Sequence, residues 1–176
     1  MRIIRNAILP IWVLLLMAHT MAAKPTIRHV RGMHGIELNA GIAAVGKALA
    51  IDWSYYFSPH WQIKAGLGAE TDKFQDNTYS NIFTQPVCVH TLYSNHKNWF
   101  FNMLGGARFH LESHQTKKKK ELHKSGNIGL VFGSETELFL ASKFSILLSG
   151  GIRVLLLKNI YGRIDYFLHM GFRMSL

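Results

Sequence analysis

The chain has 176 residues, 20 Lys and Arg against 10 Asp and Glu, a single Cys, and a hydrophobic share of 48%. That length allows one domain with a complete core, and a lone Cys88 excludes an internal disulfide framework. The basic excess suits anionic surfaces without naming one, and the most apolar stretch after the leader, "FSILLSGGIRVLLL", is interrupted by two glycines and Arg153, which excludes a membrane helix.

Residues 1–23 read as a secretory signal peptide. Arg2 and Arg5 precede the apolar "AILPIWVLLLMA", and "HTMAAK" offers small residues for cleavage after Ala22 or Ala23. A retained anchor helix is the alternative, but the apolar stretch is short for a span. Removing Arg2 and Arg5 leaves eighteen basic residues against ten acidic ones. Residues 24–32 form a short N-terminal segment, and 33–176 are expected to form one β-barrel domain.

The first turn of that domain lies in "AGIAAVGKALA", where Gly41, Gly46 and Lys47 fall on the G-x-x-x-x-G-K spacing of a phosphate-binding loop. That motif needs a Ser or Thr after the lysine and a helix after the loop; here Ala48 follows. Leu49, Ile51, Trp53, Tyr55 and Phe57 then alternate with smaller or polar residues, which is strand periodicity. The stretch is expected to be a hairpin turn.

Strand-length segments continue to the end: Met33–Ala43, Lys47–Phe57, Trp61–Thr71, Asn81–Tyr93, Trp99–Leu111, Asn127–Leu140, Phe144–Leu157 and Tyr161–Leu176. Such strands, each of about ten residues or more and joined by local connections, predict an all-β, up-and-down antiparallel barrel of about eight strands. Tight connections ("SPH", "SNHKN", "ASK") alternate with longer or more polar ones ("DKFQDNTYSN", "SHQTKKKKELHKSG", "KNI"). Short turns at one end and longer loops at the other are the pattern of a transmembrane barrel.

The two faces of each strand decide which way the barrel is turned. In "WFFNMLGGARFHL", Trp99, Phe101, Met103, Phe109 and Leu111 oppose Asn102, Arg108 and His110. Ile128, Leu130 and Phe132 oppose Asn127, Glu135 and Glu137, and Ile146, Leu148, Ile152 and Val154 oppose Ser145, Ser149 and Arg153. In the last strand, Ile164, Tyr166, Leu168, Met170, Phe172 and Met174 oppose Arg163, Asp165, His169 and Arg173. A lumen of about eight strands has room for modest filling. Glycines and charges fit inside it better than a nearly unbroken set of large apolar chains, so the apolar face is expected to meet lipid. Trp53, Tyr55, Phe57, Trp61 and Trp99 lie near tight turns, where an aromatic girdle belongs.

Six inward charges, Arg108, Glu135, Glu137, Arg153, Arg163 and Asp165, are therefore expected to form a lumen network by cross-strand pairing. Lys117, Lys118, Lys119, Lys120 and Lys124 are expected to form a basic outer loop, solvated by mutual repulsion and suited to phosphate-bearing lipid heads, or to nucleic acid where any is present. His110, His114 and His123 flank it without a ligand spacing, and Ser113 with His110 or His114 would make a catalytic pair with no orienting carboxylate beyond Glu112. No catalytic, cofactor or metal residue is assigned.

With these residues in view, the chain resembles the TraO proteins of conjugative transposons. The resemblance rests on "MHGIELNAG", "WFFNMLGGARFHLE", "GSETELFLASKFSILLSGGIRVLL" and the closing "YFLHMGFRM", and covers most of residues 33–176. The "KKKK" run and the high basic charge depart from the family pattern. The resemblance implies an outer-membrane component of a mating apparatus for DNA transfer, with other apparatus proteins and membrane lipid as partners. It implies no catalytic residue and no sequence-specific nucleic-acid binding. Against it stands a second class: a stand-alone small barrel for ligand binding, adhesion or lipid modification.

Overall fold

The computed structural model describes residues 29–44, 46–74, 77–95, 97–116, 122–159 and 162–176. The leader and Lys117–Lys120 lie outside them. Eight strands follow in chain order: β1 (His34–Ala43), β2 (Gly46–Ser58), β3 (Trp61–Phe74), β4 (Asn77–Ser94), β5 (Trp99–Thr116), β6 (Leu122–Phe139), β7 (Phe144–Asn159) and β8 (Gly162–Ser175). Every neighbouring pair is antiparallel, and β8 pairs back onto β1, from Gly35 opposite Ser175 to Ala43 opposite Phe167. The result is a closed up-and-down barrel.

Period-two alternation sets which face each residue takes. Outward positions carry the large apolar side chains: Leu67 and Leu111 remain 68% and 69% exposed. Inward positions are filled, and Arg108, Arg153, Arg173, Glu37, Glu70 and Glu137 are among the most buried side chains in the molecule. At the tight-turn end the rings predicted as a girdle meet one another, except Trp99, which meets Tyr93 from outside the predicted set. Trp53 stacks on Tyr55 with centroids 6.1 Å apart, Phe57 on Trp61 at 6.4 Å, and Tyr93 lies 5.2 Å from Trp99.

Side chains fix the tight turns. Ser58 Oγ accepts the backbone N–H groups of His60 and Trp61, at 3.3 and 3.1 Å. Asn95 Oδ1 accepts three, from Lys97, Asn98 and Trp99, at 2.9–3.0 Å. These are the local bonds that favour Ser and Asn in turns.

The opposite end differs from the sequence reading. The sequence predicts loops at "DKFQDNTYSN" and "SHQTKKKKELHKSG", yet β3 continues to Phe74, β4 begins at Asn77, β5 continues to Thr116 and β6 begins at Leu122. Lys124 consequently lies in a strand, opposite Ser113. Above the apolar zone both faces of a strand are polar, so alternation fades from the sequence while backbone pairing carries on. β4, β5 and β6 reach 18 residues each, against 10 for β1.

The Gly41–Lys47 stretch is a hairpin: Ala43 pairs with Gly46 and Ile42 with Lys47, and a strand follows the lysine. Gly46 sits at φ +111°, and a Cβ there would press on the carbonyl oxygen of Thr71. Gly46→Val is therefore expected to destabilise the barrel by about 1–3 kcal/mol. Lys47→Ala, on the exposed side of the same turn, should leave the urea unfolding midpoint in detergent unchanged. Similar midpoints for wild type and Gly46→Val would contradict the turn assignment.

Candidate functional site

The lumen holds two charge clusters, one above the other. The lower cluster centres on Arg173 of β8. Its Nη2 and Nε lie 2.7 and 2.8 Å from Glu37 Oε1, and its Nη1 donates to Glu137 Oε2 at 2.7 Å and to the Tyr56 hydroxyl at 2.6 Å. Lys64 Nζ bridges Glu37 Oε2 at 3.0 Å and Glu135 Oε2 at 2.6 Å. Ser145 Oγ donates to the second oxygen of Glu137 at 2.6 Å. Two cations thus face three carboxylates, and the N-terminal segment adds a third basic group: His29 inserts from the tight-turn end. Its Nε2 lies 3.0 Å from Glu137 and from the Tyr56 hydroxyl, while its ring stacks on Phe100 at 3.9 Å.

The upper cluster is built on Glu70 of β3. Arg153 Nη1 reaches its Oε1 at 2.7 Å and Arg108 Nη2 its Oε2 at 2.8 Å, and Asn81 donates to Oε2 at 3.1 Å. Arg153 also lies 3.6 Å from Asp165, its register partner on β8. The guanidinium of Arg108 lies over the Phe83 ring at 3.6 Å, and that of Arg153 over Phe167 at 4.9 Å. Aromatic faces stabilise cations that have left water.

Val87, Val89, Leu104, Val131, Ala43 and Phe167 form a buried apolar cluster in the same interior. The strands hold these levels apart by register. Arg108 lies opposite Gly129, whereas Glu135 lies opposite Asn102, so Arg108 of the upper cluster and Glu135 of the lower one occupy different heights on the same pair of strands.

The sequence-predicted residues divide accordingly. Glu135 and Glu137 bind Lys64, Arg173 and His29, not Arg108 or Arg153. Arg153 meets Asp165. Arg163 stands at the exposed outer end of β8. The residues at the centre of both clusters, Arg173, Glu37, Lys64 and Glu70, lie outside the expected set. Their signal is present in the sequence: the same period-two reading of Ile36–Ile42 and Trp61–Thr71 turns Glu37, Lys64 and Glu70 inward.

At the outer rim His110 faces the lumen with its Nε2 2.7 Å from Glu112 Oε1, while Ser113 lies on the outer face of the ladder. The two are on opposite sides of the wall, so this geometry makes no Ser–His pair. Among the described residues, no group of three or more His, Cys, Asp or Glu is placed to hold a metal ion. Backbone pairing sets His114 opposite His123 across β5 and β6.

No protein-family model and no curated protein matches the chain. Solved structures do. The N-terminal β-barrel domain of Pseudomonas aeruginosa OprF superposes with a TM-score of 0.67 at 9% identity, covering 83% of this chain and 98% of that one. The fold is that of a small outer-membrane barrel. A major outer membrane protein from Thermus thermophilus gives 0.67 at 11% identity, covering 82% and 99%. Ail, the attachment invasion locus protein of Yersinia pestis, gives 0.58 at 10%, covering 84% and 100%. At these identities the likeness is one of fold.

Removing one member of a buried ion pair strands the others, at roughly 3–5 kcal/mol. Arg173→Met is expected to lower barrel stability by that order, because Glu37 and Glu137 both lose a direct partner. Lys143→Met, in the exposed turn between β6 and β7, should change little. Denaturant unfolding in detergent micelles distinguishes the two; equal effects would mean that the lumen cluster contributes nothing special.

Proposed function

We propose that the protein is an outer-membrane component of a conjugative DNA-transfer apparatus, serving as anchor or docking surface and not as the DNA path. The observation that carries the second half is the filled lumen. Arg153 and Val131 are fully buried inside the wall, and an interior of about eight strands is packed with side chains. DNA needs an open channel far wider. The first half rests on the TraO-like stretches in β1, β5, β6, β7 and β8. Other apparatus proteins and membrane lipid are its partners in this reading, and sequence-specific nucleic-acid contact is not part of it. The outer-membrane location rests on the closed ladder, which pairs backbone groups without long apolar helices, and on the apolar exterior.

A second reading has an observation in its favour: the basic excess. Ail, which shares the fold, has been crystallised with the heparin analogue sucrose octasulfate. A basic excess on a stand-alone barrel suits adhesion to polyanionic surfaces. The outer membrane enzyme PagL also shares the fold, at a TM-score of 0.51 and 9% identity. The opposed faces of Ser113 and His110 speak against a serine–histidine mechanism at that position here.

Two measurements test the proposal. Envelope fractions should contain the protein in the outer membrane, with gel mobility that changes between unheated and boiled samples; a detergent-independent soluble monomer would refute the location. Deleting the gene from a donor should abolish or sharply lower transfer of the element without affecting growth. Normal transfer after deletion would remove the conjugation role and leave the adhesion reading.

A further inference from the structure

The tight-turn end of the barrel is closed, and it carries charge of one sign. Its floor is made by the N-terminal segment. His29 lies inside the wall, 3.0 Å from Glu137 on β6 and from the Tyr56 hydroxyl on β2, with its ring stacked on Phe100 of β5 at 3.9 Å. A turn then leads out of the lumen. The Met33 N–H donates to the Val30 carbonyl at 3.0 Å, and Gly32, at φ +85°, donates its N–H to the Tyr56 carbonyl at 2.7 Å. Val30 and Arg31, between His29 and Gly32, thus sit over the bore, and both are exposed, Val30 at 43%.

Around this floor the three tight turns place His60, Lys97 and Lys143, one to each turn and all exposed. Arg31, ahead of β1, completes a ring of basic groups at stations two strands apart. Strands about 4.8 Å apart and tilted by about 40° close eight-fold into a ring roughly 16 Å across, so one partner surface can reach all of them. Among the described residues no acidic side chain at this end offsets them. Glu37, Glu70, Glu112, Glu135, Glu137 and Asp165 are buried inside the wall, and Asp52 is held there by Asn39. The remaining acidic residues, Asp72, Asp76 and Glu121, belong in sequence to the β3–β4 and β5–β6 hairpins, which turn at the opposite end.

We infer that this closed floor is a docking face for an acidic surface of a protein in the periplasm. The inference rests on the docking reading above and adds the face and the chemistry of the partner. Charge complementarity selects an acidic occupant, and position selects a protein over lipid. Headgroups surrounding the barrel can reach Lys97 and His60, since Trp99 and Trp61 mark their level. They do not reach Val30 and Arg31, which lie over the bore. An exposed apolar residue ringed by basic groups has the anatomy of a protein contact, apolar at its centre and charged at its rim. The end of so narrow a barrel is smaller than the roughly 800 Å² that each partner gives to a stable complex. The contact is accordingly weak and sensitive to salt.

The test uses the full-length protein in donor cells, with a photo-crosslinking amino acid in place of Val30 and the linked peptide sequenced by mass spectrometry. The link should form to a protein segment rich in Asp and Glu. Arg31→Gln, Lys97→Gln and Lys143→Gln together should lower its yield about tenfold, the sum of three surface ion pairs. Replacing Lys117–Lys120 of the β5–β6 connection with Gln should not. Heat-modifiable gel mobility confirms that each variant is folded. Undiminished linkage in the triple variant overturns the inference, as does linkage to lipid alone, linkage to a segment without acidic residues, or no linkage. A charge-dependent link to a protein encoded on the transferred element supports both the docking face and the conjugation role. The same link to a chromosomally encoded protein, with normal transfer after gene deletion, would support the face and remove that role.

Discussion

Arg173 and Glu37 face each other directly across the seam where the last strand meets the first. They are 136 residues apart in sequence, so this pairing comes at the end of a long loop closure. It is the contact on which the architecture turns. Without closure, β1 and β8 would each present a row of unpaired backbone groups to lipid, at several kcal/mol per group. The side chains at the seam do more than join two strands. Arg173 reaches Tyr56 on β2 and Glu137 on β6, so one guanidinium ties the seam to remote parts of the wall. Lys64 repeats the device from β3, binding Glu37 and Glu135 together. Such a network is stable only when complete, because each charge has given up its water.

That filling limits what the interior can do. The described interior is crossed by ion pairs, with Val87, Val89, Leu104 and Val131 packed in the same space, although Arg153 keeps its Nε and Nη2 buried without a hydrogen-bond partner. His29 adds to this by entering from the tight-turn end and stacking on Phe100. The exterior is the surface that other molecules meet first. There the sequence is not symmetrical: small residues and hydroxyls gather on β3–β6, while the β1 and β8 exterior is large and apolar.

Much of the fold was legible because the alternation of Phe144–Leu156 and Ile164–Met174 is nearly unbroken, and charge on the minority face fixed which side was inward. Gly46 with a strand after Lys47 likewise separated a hairpin from a phosphate loop. The upper hairpins were not legible. From Ser113 to Gly126 both faces are polar, so no period remains, although β5 and β6 pair through Ser113, His114 and Gln115. The network was half legible. Parity places a residue inside, but height along the barrel depends on register. That is why Glu135 and Arg108, both inward on neighbouring strands, belong to different clusters. Arg163 shares the parity of Asp165 yet stands beyond the packed interior.

Wall height completes the argument for where recognition occurs. A strand needs about 9–11 residues to cross the hydrocarbon at the usual tilt. β1, with 10, does little more than cross, whereas β4, β5 and β6, with 18 each, project well past it. The projecting side also carries the hydroxyl row Thr71–Ser80–Ser113. The low side ends where Ala43 pairs with Gly46. The wall is thus tallest, and hydroxyl-bearing, at β4–β6 and lowest at β1. A closed ladder with a packed interior holds that uneven wall in place.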